Sequence, residues 1–173
     1  MPVQTSYDND MQIAMPGMRS DSSLQNTDGC SAAQGKIYPG YFTSLVSVAN
    51  DKRVVKQVSE AADGASLHGL CRFSHYGCVK GYYDDGDPVN NITFGRGWAV
   101  TPDATAPEKG TLVQVITSGA NAAKGTATAS STTTAARGWV FTGRYTKFKD
   151  NTGATVNLAE VQIRNQTAEP VAP

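Results

Sequence analysis

The residues of this chain best suited to chemistry crowd into one short stretch, His68-x2-Cys71-x3-His75-x2-Cys78, four zinc-type ligands within eleven residues. Imidazole and thiolate are the donors that structural zinc takes, but such sites separate two close pairs by a longer loop so that the ligands can converge as a tetrahedron. Here the pairs nearly touch, and on a strand positions 71 and 78 face opposite sides. The expected reading is a glycine-interrupted β segment, HGLCRFSHYGCVKGYY, with two buried thiols and two hydrogen-bonded histidines, holding neither metal nor cofactor. The alternative is a small metal-binding module centred on Cys71, which equimolar zinc lost on unfolding would mark.

Other chemistries find less to work with. A nucleophilic serine or cysteine would need a histidine, only His68 and His75 exist to serve, and the chain contains no G-x-S-x-G elbow. Asp84, Asp85 and Asp87 surround Gly86 without the alternating oxygen ligands and closing glutamate of a calcium loop, and read as a solvated turn before Pro88. Gly95-Arg96-Gly97 runs into a β pattern, so no helix N-terminus follows it to cradle phosphate. Arg137, Arg144, Lys147 and Lys149 interleave with Trp139, Phe141, Tyr145 and Phe148 in an acid-free run. That run is expected to be a strand whose basic residues lie on the wet face, free to meet an acidic protein surface. No enzyme activity is expected.

Positioning these residues falls to strands. Seventeen glycines and eight prolines punctuate short β-branched and aromatic runs in a chain of 173 residues, which predicts an all-β fold, a compact sandwich or barrel-like domain with few or no helices. Tyr41 to Val48 and Arg53 to Val58 form an expected hairpin about Ala49-Asn50-Asp51-Lys52. Gly97 to Thr101, Thr111 to Thr117 and Gly138 to Thr142 are the expected core strands. Val156 to Arg164 alternates with Val156, Leu158, Val161 and Ile163 as its apolar set, slipping phase at Ala159-Glu160, where a bulge is expected.

Residues 1–30 are too sparse in apolar groups to bury a face and are expected to form an extended arm that gains order against a partner. Residues 31–173 make one β domain, with a flexible loop of small residues near 118–136.

Fifteen basic residues balance fifteen acidic ones, so no global field draws nucleic acid or an anionic membrane. The N-terminus lacks the charged start and apolar run of a secretory signal, and no stretch is long and apolar enough to span a bilayer. Three cysteines, Cys30, Cys71 and Cys78, are an odd number that suits a reducing compartment, where the N-x-T matches at Asn91 and Asn165 carry no glycan.

The order of PGMRSD, then GLCRF leading to GYYDDGDPV, GRGWAV, GTLVQV, a small-residue stretch and NLAEVQI resembles the structural cement, or capsid decoration, proteins of tailed bacteriophages, over nearly the whole chain. The resemblance implies a non-enzymatic protein on the outer surface of an icosahedral head, bridging capsid subunits. Its partner would be the major capsid protein, with self-association as a dimer or trimer, no nucleic acid and no membrane. It would be a virion component assembled in the host bacterial cytoplasm. The expected capsid or subunit contacts are Met11, Ile13, Met15 and Met18 of the arm, with Arg144, Tyr145 and Lys147. An alternative virion role is a tail or fibre domain that meets a host glycan through exposed Tyr82 and Tyr83 beside Asp84 and Asp85.

Overall fold

Runs of β-branched and aromatic residues broken by glycine and proline favour strands over helices. Strands dominate the computed structural model, which describes residues 12–49, 52–74, 80–120, 123–130, 134–150 and 153–164. In chain order they are β1 (Asn26–Ala33), β2 (Phe42–Ala49), β3 (Lys52–Gln57), β4 (Leu67–Cys71), β5 (Pro88–Val100), β6 (Leu112–Ile116), β7 (Ala127–Thr128), β8 (Thr134–Lys149) and β9 (Thr155–Ile163), with a short 3-10 helix at Ala61–Ser66. The chain is all-β as expected, and the barrel is the form it takes. Strands β1, β3, β2, β4 and β5 follow one another and β1 pairs again with β5, which leaves the barrel without an open edge strand. Strands β2 and β3 are the expected hairpin; Asn50 and Asp51 of its turn lie outside the described residues.

Each barrel strand sends one residue to the same interior cluster: Ala33, Leu45, Val55, Cys71 and Val89, closed over by Ile37 and Tyr83. Strand β5 outruns the barrel. Its first half pairs with β1 and β4, and from Gly95 onward it pairs with β9. Gly95 takes φ +112° at this change of partner, with Gln25 packed so close that a Cβ would sit 3.0 Å from it, so glycine is the residue that fits. Beyond β5 the sheet continues through β9, β8, β6 and β7. The main core lies between this sheet and the barrel, where Phe42, Leu70 and Ile92 meet Val113, Val115, Trp139, Phe141 and Val161. The Phe42 and Trp139 rings stack 5.2 Å apart there.

The phase slip expected to mark a bulge in β9 has a different cause. Strand β9 pairs with β5 in unbroken register from Leu158 to Ile163. The irregularity belongs to β8, where the pairing jumps from Phe141 opposite Val161 to Tyr145 opposite Ala159. Leu158, Ala159, Glu160 and Val161 are all buried because both faces of β9 are covered. Ala159, Val161 and Ile163 enter the main core, and Leu158 enters a second cluster with Ala14, Trp98 and Val100.

Ala14 and Met18, within the segment read as an arm, pack in this second cluster, and residues 26–30 already belong to β1. In the small-residue stretch, Gly125 to Thr128 are buried and include β7; residues 121–122 and 131–133 lie outside the described residues.

The 3-10 helix is organised by one carboxylate. Asp63 accepts the backbone N–H groups of Ser59 (2.9 Å) and Glu60 (3.2 Å) and an ion pair from Lys56 at 2.7 Å. Burial pushes the Asp63 carboxyl up, but Lys56 and the two N–H groups outweigh it and hold it below the ordinary 3.8. A depressed carboxylate contributes stability that is complete above the unfolded value and lost as pH falls through the folded one. Asp63→Asn is therefore expected to destabilise by about 1–2 kcal/mol at pH 7, with the gap to the parent narrowing below pH ~4. Urea unfolding at both pH values checks this, and a gap independent of pH would refute it.

Candidate functional site

When β5 leaves the barrel, one edge of its second half would be bare, and an unpaired edge invites association. Residues 17–20 cover it. Gly17 N–H donates to Trp98 O at 2.8 Å, Trp98 N–H to Met18 O at 3.0 Å and Ser20 N–H to Arg96 O at 3.2 Å, with Arg19 bridged antiparallel to Gly97. On its other side Gly17 accepts Phe73 N–H at 2.9 Å. Gly17 has φ +73°, and a Cβ there would lie 2.5 Å from Cys71 O and 2.8 Å from Gly40 N, so no other residue fits this wedge. The segment is also pinned at Gln12, whose side-chain amide donates to Lys149 O and accepts Lys149 N–H, both at 2.9 Å, imitating one more ladder pair at the end of β8.

Between these pins the segment has an inner and an outer side. Ala14 and Met18 pack over Trp98, Val100 and Leu158, with Tyr41, Phe148 and Val156 at the margin. Ile13 points outward at 65% exposure, and beyond the second pin Leu24 is 81% exposed. Met15 is half-buried, and Met11 lies outside the described residues. Of the expected arm contacts among the described residues, Ile13 is thus the one held in solvent, while Met18 faces the domain. Leu24 was not anticipated, because one apolar residue among the polar SDSSLQN has no periodic partner to signal a role.

Arg144 ties this segment to the sheet. Its guanidinium donates to Ser20 Oγ at 3.2 Å and to Glu160 Oε1 at 3.0 Å, and it lies 5.2 Å from the Trp98 ring centre. Glu160 is only 1% exposed; its second oxygen accepts Thr142 Oγ1. The β8 irregularity serves this arrangement, since the residues it adds, Thr142 to Arg144, lie opposite Glu160. A carboxylate in the apolar run LAEV and an arginine in an acid-free run were the available signals, but only the fold pairs them. Tyr145 packs on the main core and its hydroxyl donates to Asp103 O and Ala104 O. Burial, and then Asp103, push its phenol up. Lys147 and Lys149 are exposed. The basic-aromatic run therefore divides as expected, with Trp139, Phe141, Tyr145 and Phe148 inward and Arg144, Lys147 and Lys149 outward. The side chain of Arg137 lies outside the described residues.

The suspected ligand stretch is divided by its strand. His68 and Cys71, an odd spacing apart on β4, face opposite ways. His68 Nε2 meets Asp28 Oδ2 at 2.6 Å, beside the Arg53 ion pair with the same carboxylate. Cys71 is buried in the barrel, and burial pushes its thiol far up, away from the thiolate a metal requires. Cys78 and His75 lie outside the described residues. Among the described residues no group of three or more His, Cys, Asp or Glu could hold a metal ion, and no helix is long and apolar enough to cross a membrane.

The aromatic pair suggested for a glycan is not a pair on the surface. Tyr83 is fully buried, its hydroxyl donating to Arg72 O at 2.9 Å, because the bridge between Ile37 and Tyr83 turns it into the barrel. Tyr82 is half-buried, its ring 5.7 Å from that of Tyr38 and under the Lys36 ammonium.

Compared with known proteins, residues 3–164 match the family model described as structural cement protein (E217 gp24/Pam3 gp6). Among solved structures, a chain from the capsid of Myoviridae phage XM1 matches with a TM-score of 0.69 at 19% identity, covering 96% of this chain and 100% of that one. That likeness is one of fold. No curated protein matches the chain.

Proposed function

The chain belongs to the phage structural cement protein family, and from that premise we propose that it binds the outer surface of an icosahedral phage head and bridges neighbouring shell subunits. The observation that supports this most is the pinned N-terminal segment. Ile13 and Leu24 are exposed at 65% and 81%, Ile13 between the Gln12 pin to β8 and the Gly17 pin to β5, and Leu24 between the Ser20 pin to β5 and the start of β1. Apolar groups presented this way bind with little further loss of conformational entropy. Lys147, exposed on β8, adds a polar rim contact, while Met15, Met18, Arg144 and Tyr145 hold the surface in place.

A cement gains from several modest contacts made at once, and self-association as a dimer or trimer multiplies them. The partner is the major shell protein and the location the virion; formal charge of zero gives no reason to invoke nucleic acid or lipid. The role needs no catalysis. The test is co-sedimentation of the purified protein with shells lacking it. Ile13→Asp with Leu24→Asp is expected to leave thermal unfolding unchanged and to weaken binding roughly tenfold or more. Undiminished binding of that variant would remove this surface from the proposal, and failure of the parent protein to bind would remove the capsid role.

A further inference from the structure

We propose that the cleft between the N-terminal segment and the end of β4 receives an acidic side chain from a loop of the shell protein, clamped by Arg19 and Arg72. The cleft has a volume of about 350 Å3 and is lined by Met18, Arg19, Arg72, Phe73, Ser74 and Asn90. Arg53, Arg96 and Arg144 each meet a carboxylate. Among the described residues neither Arg19 nor Arg72 does, and Arg19 donates only to the Ser23 carbonyl at 2.9 Å. Two arginines line one cavity with no acid among its described lining residues, and an incoming carboxylate offers the charge and the planar geometry that guanidinium matches.

The backbone that carries the two arginines is already fixed. The backbone of Arg19 is bridged to Gly97, Arg72 N–H donates to Asn90 O at 2.8 Å, and Phe73 N–H donates to Gly17 O at 2.9 Å. Gly17, with no room for a Cβ, locks the two walls together. Met18 and Phe73 give the cleft an apolar part, which suits an aspartate or glutamate flanked by an apolar neighbour better than a hydrated phosphate. A chain of zero formal charge also has no net field to draw a nucleic-acid backbone. The choice of the shell protein as the source of the acid rests on the capsid role proposed above.

The experiment compares shell binding of the parent protein, the Arg19→Glu/Arg72→Glu variant, the Arg19→Lys/Arg72→Lys variant and a control, Lys109→Glu, across a salt series. Thermal unfolding of each is measured alongside. The expected result is an affinity loss of roughly tenfold or more for the glutamate pair with a flattened salt dependence, a smaller loss for the lysine pair, and none for the control. Equal affinity and equal salt dependence of parent and glutamate pair would overturn the cleft while leaving the capsid role standing. If the parent itself fails to bind shells, the capsid role falls and the shell protein falls with it as the occupant. A second measurement follows the Arg19 and Arg72 Nε–H resonances during titration with hexaglutamate and, separately, inorganic phosphate. Shifts with hexaglutamate support a carboxylate receptor, and shifts with phosphate alone overturn it.

Discussion

Replacing Arg144 with alanine is expected to destabilise the protein by about 2–3 kcal/mol at neutral pH, more than an exposed arginine ordinarily contributes. The reason is Glu160. Its carboxylate is 1% exposed and Arg144 is its cationic partner, at 3.0 Å. Removing the guanidinium leaves a buried charge with the Thr142 hydroxyl beside it, and an uncompensated buried charge costs several kcal/mol. The arginine side chain is itself 55% exposed, so water reaches the pair and the loss falls below the full buried-pair figure of about 3–5 kcal/mol. Two further variants identify the cause. Arg144→Met keeps an aliphatic stem over Trp98 and is expected to lose nearly as much, which separates charge from packing. Arg144→Ala with Glu160→Gln is expected to regain most of the loss, since a neutral amide can stay buried with the threonine hydroxyl. Denaturant unfolding of the set measures all three. A double variant no more stable than Arg144→Ala would show that the ion pair is not what the arginine maintains.

Deleting residues 1–20 is expected to cost about 4 kcal/mol or more, and deleting residues 1–11, which leaves residues 12–20 in the chain, serves as its comparison. The longer deletion removes Ala14 and Met18 from above Trp98, Val100 and Leu158; complete burial of a methionine side chain is worth about 1.5–3 kcal/mol, and the half-buried Met18 contributes less. It also removes the hydrogen bonds that Gly17, Met18 and Ser20 exchange with Trp98 and Arg96 and that Gly17 accepts from Phe73, each worth about 1 kcal/mol. Against a typical total of about 5–15 kcal/mol, that loss shows plainly in urea unfolding. The pair of deletions also separates folding from binding. A shortened chain lacking 1–11 that folds normally but binds shells weakly assigns those residues to the partner. A chain lacking 1–20 that is as stable as the parent would show that residues 12–20 contribute nothing to the domain and are a detachable arm.

The strands of the main core were legible because each faces apolar neighbours on one side and carries the period of two. Val113 and Val115 on β6, or Trp139 and Phe141 on β8, announce themselves this way. Strand β9 shows where the pattern stops informing. Leu158 and Val161 are both apolar and both buried, on opposite faces, so the sequence showed only a broken alternation, and a bulge was the local explanation to hand. The true cause lies more than a hundred residues away in the chain, in Ala14 and Met18 covering the second face. Residues 12–20 were illegible for the matching reason: too few apolar groups to form a face of their own, yet enough to close one already made by β5 and β9.

By itself the sequence determined the all-β class, the β2–β3 hairpin and the inward and outward division of the run from Trp139 to Lys149. It also carried the motif order that resembles the cement family. These follow from residue type and spacing along the chain, which set strand period and turn chemistry locally. The tertiary structure decided that the strands close a five-stranded barrel, that Tyr83 turns inward, and that Arg144 meets Glu160. It likewise placed Arg19 beside Arg72 and left Ile13 and Leu24 facing solvent. Those outcomes depend on pairing between distant strands, where one residue of register moves a side chain from core to water, and nothing in local spacing encodes which distant residue will lie opposite.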